Sequence, residues 1–332
     1  MSSLRSHARS WLLAAGLLCG TWLAAQPRLI FDTDFGGDAD DLGALVMLHH
    51  FIDRGECELL AVMCWSTEAY AVPAIDAVNH YYGRPNLPIG ARQGATYHEA
   101  WNYSRSIAEA LPHDLGRGQA PDATVLYRRL LAGSPDQSVT IVTVGPLKNI
   151  ELLLRSGPDS LSPLSGTALI RRKVREFVIM GGHFPEGENE WNFDGGMPGV
   201  TAYVLDNLPT PVTFTGFEVG NALRAGRAFN ALDPQTPLYL GFHHFSNHAP
   251  WMTPAPDGRI TDNACFDQTA VLYAVRGGLG EYWEQSPPGA CLPGATGGNR
   301  WTNAPDGRHT YLRLTAPPAQ LSQLIEDLML GQ

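Results

Sequence analysis

Short apolar runs bounded by turn residues alternate with stretches of helical spacing through the first two thirds of the chain. Leu29 to Phe31 is the first buried run. A turn at Gly36-Gly37 follows, and then Leu42, Leu45, Val46 and His49 recur at helical intervals on one face. The pattern next predicts a strand at 57–63 (CELLAVM), a helix over 73–83 ended by Gly83, and a short strand at 87–90. A helix at 121–132 precedes the cleanest strand, 138–144 (SVTIVTV), after which Gly145-Pro146 opens a helix near Leu147. A strand at 175–180 (REFVIM), a helix at 198–207 and a strand at 211–215 complete the alternation. Residues 91–120, rich in His, Trp, Tyr and Gly, read as an irregular surface or active-site loop. Beyond residue 216 the period weakens. A helix over 266–276, Pro/Gly-rich hairpin material, a strand at 309–314 and a closing helix at 318–329 stay legible.

Continuously apolar strands separated by helices are buried on both faces. The fold class predicted is therefore α/β, with an open, mostly parallel, Rossmann-like sheet covered by helices on both sides. No repeat, low-complexity segment or linker interrupts the pattern, so residues 26–332 are expected to form one domain. Ahead of them, Arg5 and Arg9 precede the apolar run 11–23 and the small residues Ala24-Ala25. That is the pattern of a signal peptide over residues 1–25. It predicts an exported protein, periplasmic or secreted, with no stable membrane association after cleavage.

Charge narrows the partners. The net charge is −10, and −12 once Arg5 and Arg9 are removed, with no basic stripe carrying interleaved aromatics, which excludes a nucleic-acid backbone. Cys57, Cys64, Cys265 and Cys291 include no C-x-x-C pair, so zinc or thiol redox chemistry has little support. Export permits disulfides, and Cys265–Cys291 is a pair able to close a late loop, although spacing alone fixes no pairing. A homo-oligomer is left open.

The chemistry concentrates after the first strand. Asp32, Asp34, Asp38, Asp40 and Asp41 place five carboxylates in ten positions without a Lys or Arg among them. Such crowding is relieved by a raised pKa or by a bound hard divalent cation, which takes oxygen ligands. Capping of a helix by Asp38 or Asp40 explains one or two of the five. An EF-hand loop fails on spacing, because Gly36 falls at a ligand position and Gly43 where a glutamate is wanted. Polar clusters at 65–68, 144–146 and 181–192 also follow strand ends, and in open α/β sheets that edge is where ligands bind.

The arrangement D-T-D-x-G-x-D-x-D-D-x-x-A-L over 32–45 resembles the inosine–uridine preferring nucleoside hydrolase family, and looks closest to an exported bacterial branch with two extra residues before the Asp pair. Weaker motifs follow in the family's order: Leu59-Leu-Ala-Val62, Asp76-Ala-Val-Asn79, Tyr82-Gly-Arg-Pro85, Val142-Thr-Val-Gly-Pro-Leu-Lys-Asn149, Val178-Ile-Met-Gly-Gly182, Glu190-Trp-Asn192 and Asp267-Gln-Thr-Ala-Val271. The resemblance implies calcium-dependent hydrolysis of an N-glycosidic bond, nucleoside plus water giving ribose plus free base. It implies a Ca2+ ion held by Asp34, Asp41, Asp267 and the Val144 carbonyl. Asp34, Asp40 and Asn192 would be catalytic, Asp34 as general base and Asp40 at the ribose hydroxyls. Glu190, Trp191 and Asn192 match the family's sugar-binding triplet, Met180 would lie beneath the ribose, and Asn189 would reach the 5′-hydroxyl. Asp38 is a ligand, a sugar contact or a cap, and Asp32 a support behind the ligands.

Two positions depart from the family. Glu68 stands where a sugar-binding asparagine is usual, and Phe266 where base-protonating members carry histidine, which leaves His98, His183, His243 and His244 as substitutes. Two rival functions remain. One is a phosphatase of the haloacid-dehalogenase type with Asp32 as nucleophile, and the other a calcium-dependent nucleoside- or sugar-binding protein without turnover.

Overall fold

A computed structural model describes residues 26–332, so the expected signal peptide lies outside the described residues. The strands of the main sheet are β1 (Arg28–Thr33), β2 (Glu58–Cys64), β3 (Ile89–Ala91), β4 (Val139–Thr143), β5 (Val174–Met180), β6 (Glu186–Gly187) and β7 (Val212–Thr215). The separate antiparallel pair β8 (Arg224–Ala225) and β9 (Asn263–Ala264) follows in the chain. Next come β10 (Trp283–Gln285), β11 (Gly289–Pro293), β12 (Asn299–Asn303) and β13 (His309–Leu314), which rejoin the main sheet. Its order begins β3-β2-β1-β4-β5-β7, all parallel, and β13 continues the parallel run beside β7. The antiparallel strands β11, β12 and β6 finish that edge, with β10 paired to β13. The expected mostly parallel α/β architecture is what the chain adopts.

Burial on both faces follows from alternation along each strand. In β1, Leu29 and Phe31 join one core with α1 (Asp40–Asp53), α2 (Ala71–Tyr81) and a later helix, α11 (Phe266–Arg276), while Ile30 points into the other core with α4 (Ala123–Gly133) and α5 (Lys148–Arg155). The helices α1 and α11 pack on each other over the first face.

Three helices of seven or more residues escaped the periodicity: α3 (Ser104–Ala110), inside the stretch expected to be irregular, α6 (Gly166–Lys173) and α10 (Pro237–His248). In α10 the apolar stripe Leu238, Phe242 and Phe245 is interrupted by Gly241, and at that residue the helix packs directly against Leu42 of α1. A Cβ there would sit 2.2 Å from Leu42. Packing, rather than propensity, sets this helix. The remaining helices are α7 (Trp191–Asp194), α8 (Val200–Asn207), α9 (Phe217–Asn221) and α12 (Pro318–Met329). The suggested Cys265–Cys291 disulfide is corrected: both are free and buried, Cys265 in the core containing α1 and Cys291 in the opposite one. No helix of the described residues is long and apolar enough to cross a membrane.

Candidate active site

The parallel strands end together. Asp32 stands beside Met63 of β2 and Thr143 of β4, so the segments that follow β1, β2, β4 and β5 emerge along one edge. There they line a cavity of about 570 Å³ bounded by Asp34, Asp38, Asp40 and Asp41 after β1, Trp65 after β2, Val144 after β4 and Met180 at the end of β5. Asn189, Glu190, Trp191 and Asn192 come from the loop and short helix after β5, and Phe266 and Asp267 from the start of α11.

Close backbone approach brings the acids together. Gly43, in the first turn of α1, leaves no room for a side chain, since a Cβ would lie 2.4 Å from the Gln268 amide of α11. The first turns of α1 and α11 therefore meet, and Asp40, Asp41 and Asp267 present carboxylate oxygens within 4.8 Å of one another. All three are buried, Asp267 to 2% exposure. Their positions in the first turns of two helices favour negative charge. Gly145 plays the same part for Asp34: a Cβ there would fall 2.8 Å from the Asp34 nitrogen and 2.9 Å from its Cβ.

Hydrogen bonds account for some of the carboxylate oxygens and leave others free. Thr33 Oγ1 donates to Asp41, Asn263 Nδ2 donates to Asp38, and the Asp267 backbone N–H donates to Asp40 at 3.3 Å. Asp34 Oδ2 accepts from Trp191 Nε1 at 2.8 Å. Asp267 Oδ2 is buried without any partner. Burial is the first cause raising all of these acids, and mutual repulsion adds to it. Asp34 is pushed up to about 6, with Trp191 opposing and Asp38 reinforcing the rise. Asp40, Asp41 and Asp267 are held well above the ordinary carboxylate range, by burial and then chiefly by one another, Asp34 and Asp38. With no Lys, Arg or His lining the cavity, the neutralising partner that this donor set fits is a hard divalent cation taking oxygen ligands.

Support comes from below. Asp32 is buried outside the cavity, and accepts from Tyr127 Oη at 2.8 Å and from Asn149 Nδ2 at 3.0 Å, one on each oxygen. Burial raises it to about 7 in spite of those two bonds. An engaged carboxylate that does not face the cavity cannot attack a phosphoryl group, so the phosphatase reading with Asp32 as nucleophile is not favoured.

The triplet after β5 is more structural than its sequence suggests. Glu190 caps α7: Oε1 accepts from the Asn192 N–H at 3.0 Å, and Oε2 from Gly182 at 2.8 Å and Phe193 at 3.0 Å. Asn192 Nδ2 donates to the carbonyls of Val144 at 2.9 Å and Met180 at 3.2 Å, so only its Oδ1 remains for an occupant. Asn189 holds a left-handed backbone (φ 58°), which asparagine tolerates, at the cavity wall. Trp191 is 57% exposed and lies over Asp34, edge-on to Trp65 at 6.4 Å between ring centres.

Glu68 is the site residue that the structure does not bring to the cavity. It is fully buried, with Oε1 on His98 Nδ1 at 2.8 Å and Oε2 accepting from the Tyr70 N–H at 2.7 Å. Its carboxylate ties the loop after β2 to His98, beside the backbone bridge between Glu68 and Tyr97. The substitute histidines also miss the cavity. His244 bonds the Ala100 carbonyl at 3.1 Å, His243 stacks on Tyr239 at 5.2 Å, and His183 packs against Phe217 at 4.8 Å. Residue-level reasoning missed the aromatic part of the lining, Trp65, Tyr97, Trp101, Phe217 and Trp251, together with Asn102. The signal available was the density of large aromatics within loops rich in Gly, Pro and Asn, where no core requires them.

Comparison with known proteins agrees with this geometry. The sequence profile of the inosine-uridine preferring nucleoside hydrolase family matches residues 29–287. A plant nucleoside hydrolase superposes with a TM-score of 0.66 at 16% identity, covering 91% of this chain and 98% of that one. An inosine-uridine preferring nucleoside hydrolase from Bacillus anthracis gives 0.64 at 15% identity, with 92% and 99% covered. An inosine-guanosine nucleoside hydrolase gives 0.65 at 17% identity, again with 92% and 99% covered. At these identities the structural likenesses speak for the fold. No curated protein sequence matches the chain.

Proposed function

This chain belongs to the inosine-uridine preferring nucleoside hydrolase family, hydrolases acting on N-glycosyl compounds, and on that premise we propose that it cleaves ribonucleosides to ribose and free base with a calcium ion in the acidic cavity. The observation that carries the reading is the convergence of Asp34, Asp38, Asp40, Asp41 and Asp267 on one cavity without a basic residue, Asp267 Oδ2 being buried and unpartnered. Asp34, Asp41, Asp267 and the Val144 carbonyl are the residues that would hold the ion. When bound, it would activate a water and anchor vicinal sugar hydroxyls.

The chain's own residues supply the rest. Asp34 takes the proton of the attacking water, its second oxygen kept in place by Trp191 Nε1. As the bond from C1′ to the base lengthens, the sugar gains oxocarbenium character, and the carboxylate of Asp40 stabilises that charge. Asn192 Oδ1 accepts from a sugar hydroxyl, because both amide hydrogens are committed to backbone carbonyls. Glu190 positions Trp191 and Asn192 through its cap on α7. Membership of a hydrolase family favours turnover over the alternative of a binding protein. The basic and then apolar pattern over residues 1–25 supports an exported enzyme.

The test is direct. Inosine and uridine are each incubated with the protein plus calcium, and separately with excess chelator, while free base and reducing sugar are measured. Equal amounts of both products in calcium, and a loss of rate with chelator, are expected. Absence of products from every ribonucleoside tried would overturn the reading. A second expectation concerns Gly145→Ala. The added methyl must displace Asp34, whose nitrogen and Cβ lie within 2.9 Å of it. A misplacement approaching 1 Å costs on the order of 10²-fold in kcat/KM. Steady-state kinetics beside a circular-dichroism melt separates that loss from misfolding.

A further inference from the structure

The hairpin β11–β12 supplies no residue to the cavity lining, yet it grips the loop that does. Its strands lie beyond residue 287, where the match to the family ends. The loop it meets, residues 181–190, joins β5 to α7 and brings Asn189 and Glu190 to the cavity wall. The one regular element within that loop is the short strand β6. A segment this irregular owes its shape to neighbours that pair its backbone groups.

Asn299 of β12 is 5% exposed and puts both ends of its amide on one residue. Its Oδ1 accepts from the His183 N–H at 2.7 Å, and its Nδ2 donates to the His183 carbonyl at 2.6 Å. A side chain here makes a rung that a neighbouring strand would otherwise make. True rungs continue it, with Asn299 opposite Gly187 and Arg300 opposite Glu186, and the Trp301 N–H donates to the Pro185 carbonyl at 2.7 Å. At the hairpin's turn the Gly297 carbonyl accepts from the Glu190 N–H at 3.0 Å. Gly297 holds a left-handed backbone (φ 77°), and a Cβ on it would fall 2.6 Å from the Glu190 carbonyl oxygen and 2.9 Å from the Asp194 Cβ. The turn is therefore seated on both ends of α7, the helix whose Trp191 donates to Asp34 and whose Asn192 lines the cavity. The other hydrogen bonds of this contact run backbone to backbone, so Asn299 is the position where the side chain decides.

Resting on the ribosyl-hydrolase reading, we propose that Asn299 is a positioning residue for the sugar end of the cavity. It acts through His183, and together with the turn at Gly297 it holds Asn189, Trp191 and Asn192 in the arrangement that the sugar meets. It touches neither sugar nor cation. A loop ordered in advance need not be ordered by the ligand. Once released, the loop samples conformations that do not bind, and apparent affinity falls by the fraction that remains competent. The loss is confined to binding, because a bound substrate restores the loop before the chemical step. The residues assigned to the cation, Asp34, Asp41, Asp267 and Val144, lie on other segments and keep their places.

Asn299→Ala in the full protein is the test. Ribose is titrated calorimetrically onto the calcium-loaded chain, and turnover of inosine and uridine is measured in parallel. A competent fraction near one tenth raises the ribose Kd and the nucleoside KM about 10-fold, with kcat within about 2-fold of the parent. The calcium-induced rise in Tm is expected to be unchanged. A ribose Kd and a KM equal to the parent's would overturn the proposal, and so would an equally large loss in kcat or in the calcium response. If Asn299→Ala does not fold, Gly297→Ala carries the same expectations and the same contrary results, since its methyl presses on Glu190 without removing a rung of the sheet. A parent protein that binds ribose but hydrolyses no ribonucleoside overturns the ribosyl-hydrolase reading and leaves this inference to the ribose titration. A parent that binds no ribose overturns both.

Discussion

Asp34→Ala lowers kcat/KM for a ribonucleoside by on the order of 10³-fold, the loss expected when a general base is removed from a prepared site. The structure makes this substitution interpretable, because little else depends on the side chain. Its one side-chain partner is Trp191 Nε1, whose indole is open enough to turn to water. Removing a carboxylate that raises both Asp41 and Asp267 relieves repulsion. The melting temperature of Asp34→Ala without added cation should therefore equal or exceed that of the parent protein. Loss of activity with preserved stability separates a catalytic role from a structural one, and a variant retaining full activity would remove Asp34 from the mechanism.

The second large effect is thermal. Five crowded carboxylates burden the fold when no cation is bound, so a ligand that binds only the native site stabilises by mass action. At 1,000 times its Kd a ligand contributes about 4 kcal/mol, which for a chain of this size raises Tm by roughly 5–10 °C. Scanning calorimetry of chelator-treated protein with and without millimolar calcium measures the shift. Asp267→Ala should abolish most of it, since the unpartnered Asp267 Oδ2 is the oxygen most in need of a cation. A calcium response equal in the variant and the parent would place the ion elsewhere. Magnesium in a parallel scan reports selectivity: a site built from several carboxylates and a carbonyl suits the larger ion, which accepts irregular coordination.

Much of this was legible in the sequence, for identifiable reasons. The strands β1, β2, β4, β5 and β7 are apolar enough to be buried on both faces, and each was found within a residue or two of its observed limits. The acidic loop stood out because like charges at that density have few stable explanations. Helix α11 and strand β13 were placed to the residue, since neither competes with a breaker inside the element. What stayed hidden depends on tertiary contact. Gly241 broke the helical pattern of α10, yet it is there because Leu42 leaves no room for a side chain. The capping duty of Glu190 and the inward orientation of the Asn192 amide become visible only when β5 and α7 meet. Glu68 aligned with a sugar contact by position in the chain but turned toward His98. The aromatic wall arises from loops with no period, where composition hints at function but assigns no residue.

The central claim is that the acids at the sheet edge hold a divalent cation and a ribose side by side. A crystal structure with calcium and ribose tests it most directly. Calcium is expected within about 2.3–2.6 Å of oxygens from Asp34, Asp41, Asp267 and the Val144 carbonyl, with two vicinal sugar hydroxyls completing its shell. Calcium bound away from these residues, or ribose seated without contact to the ion, would contradict the account.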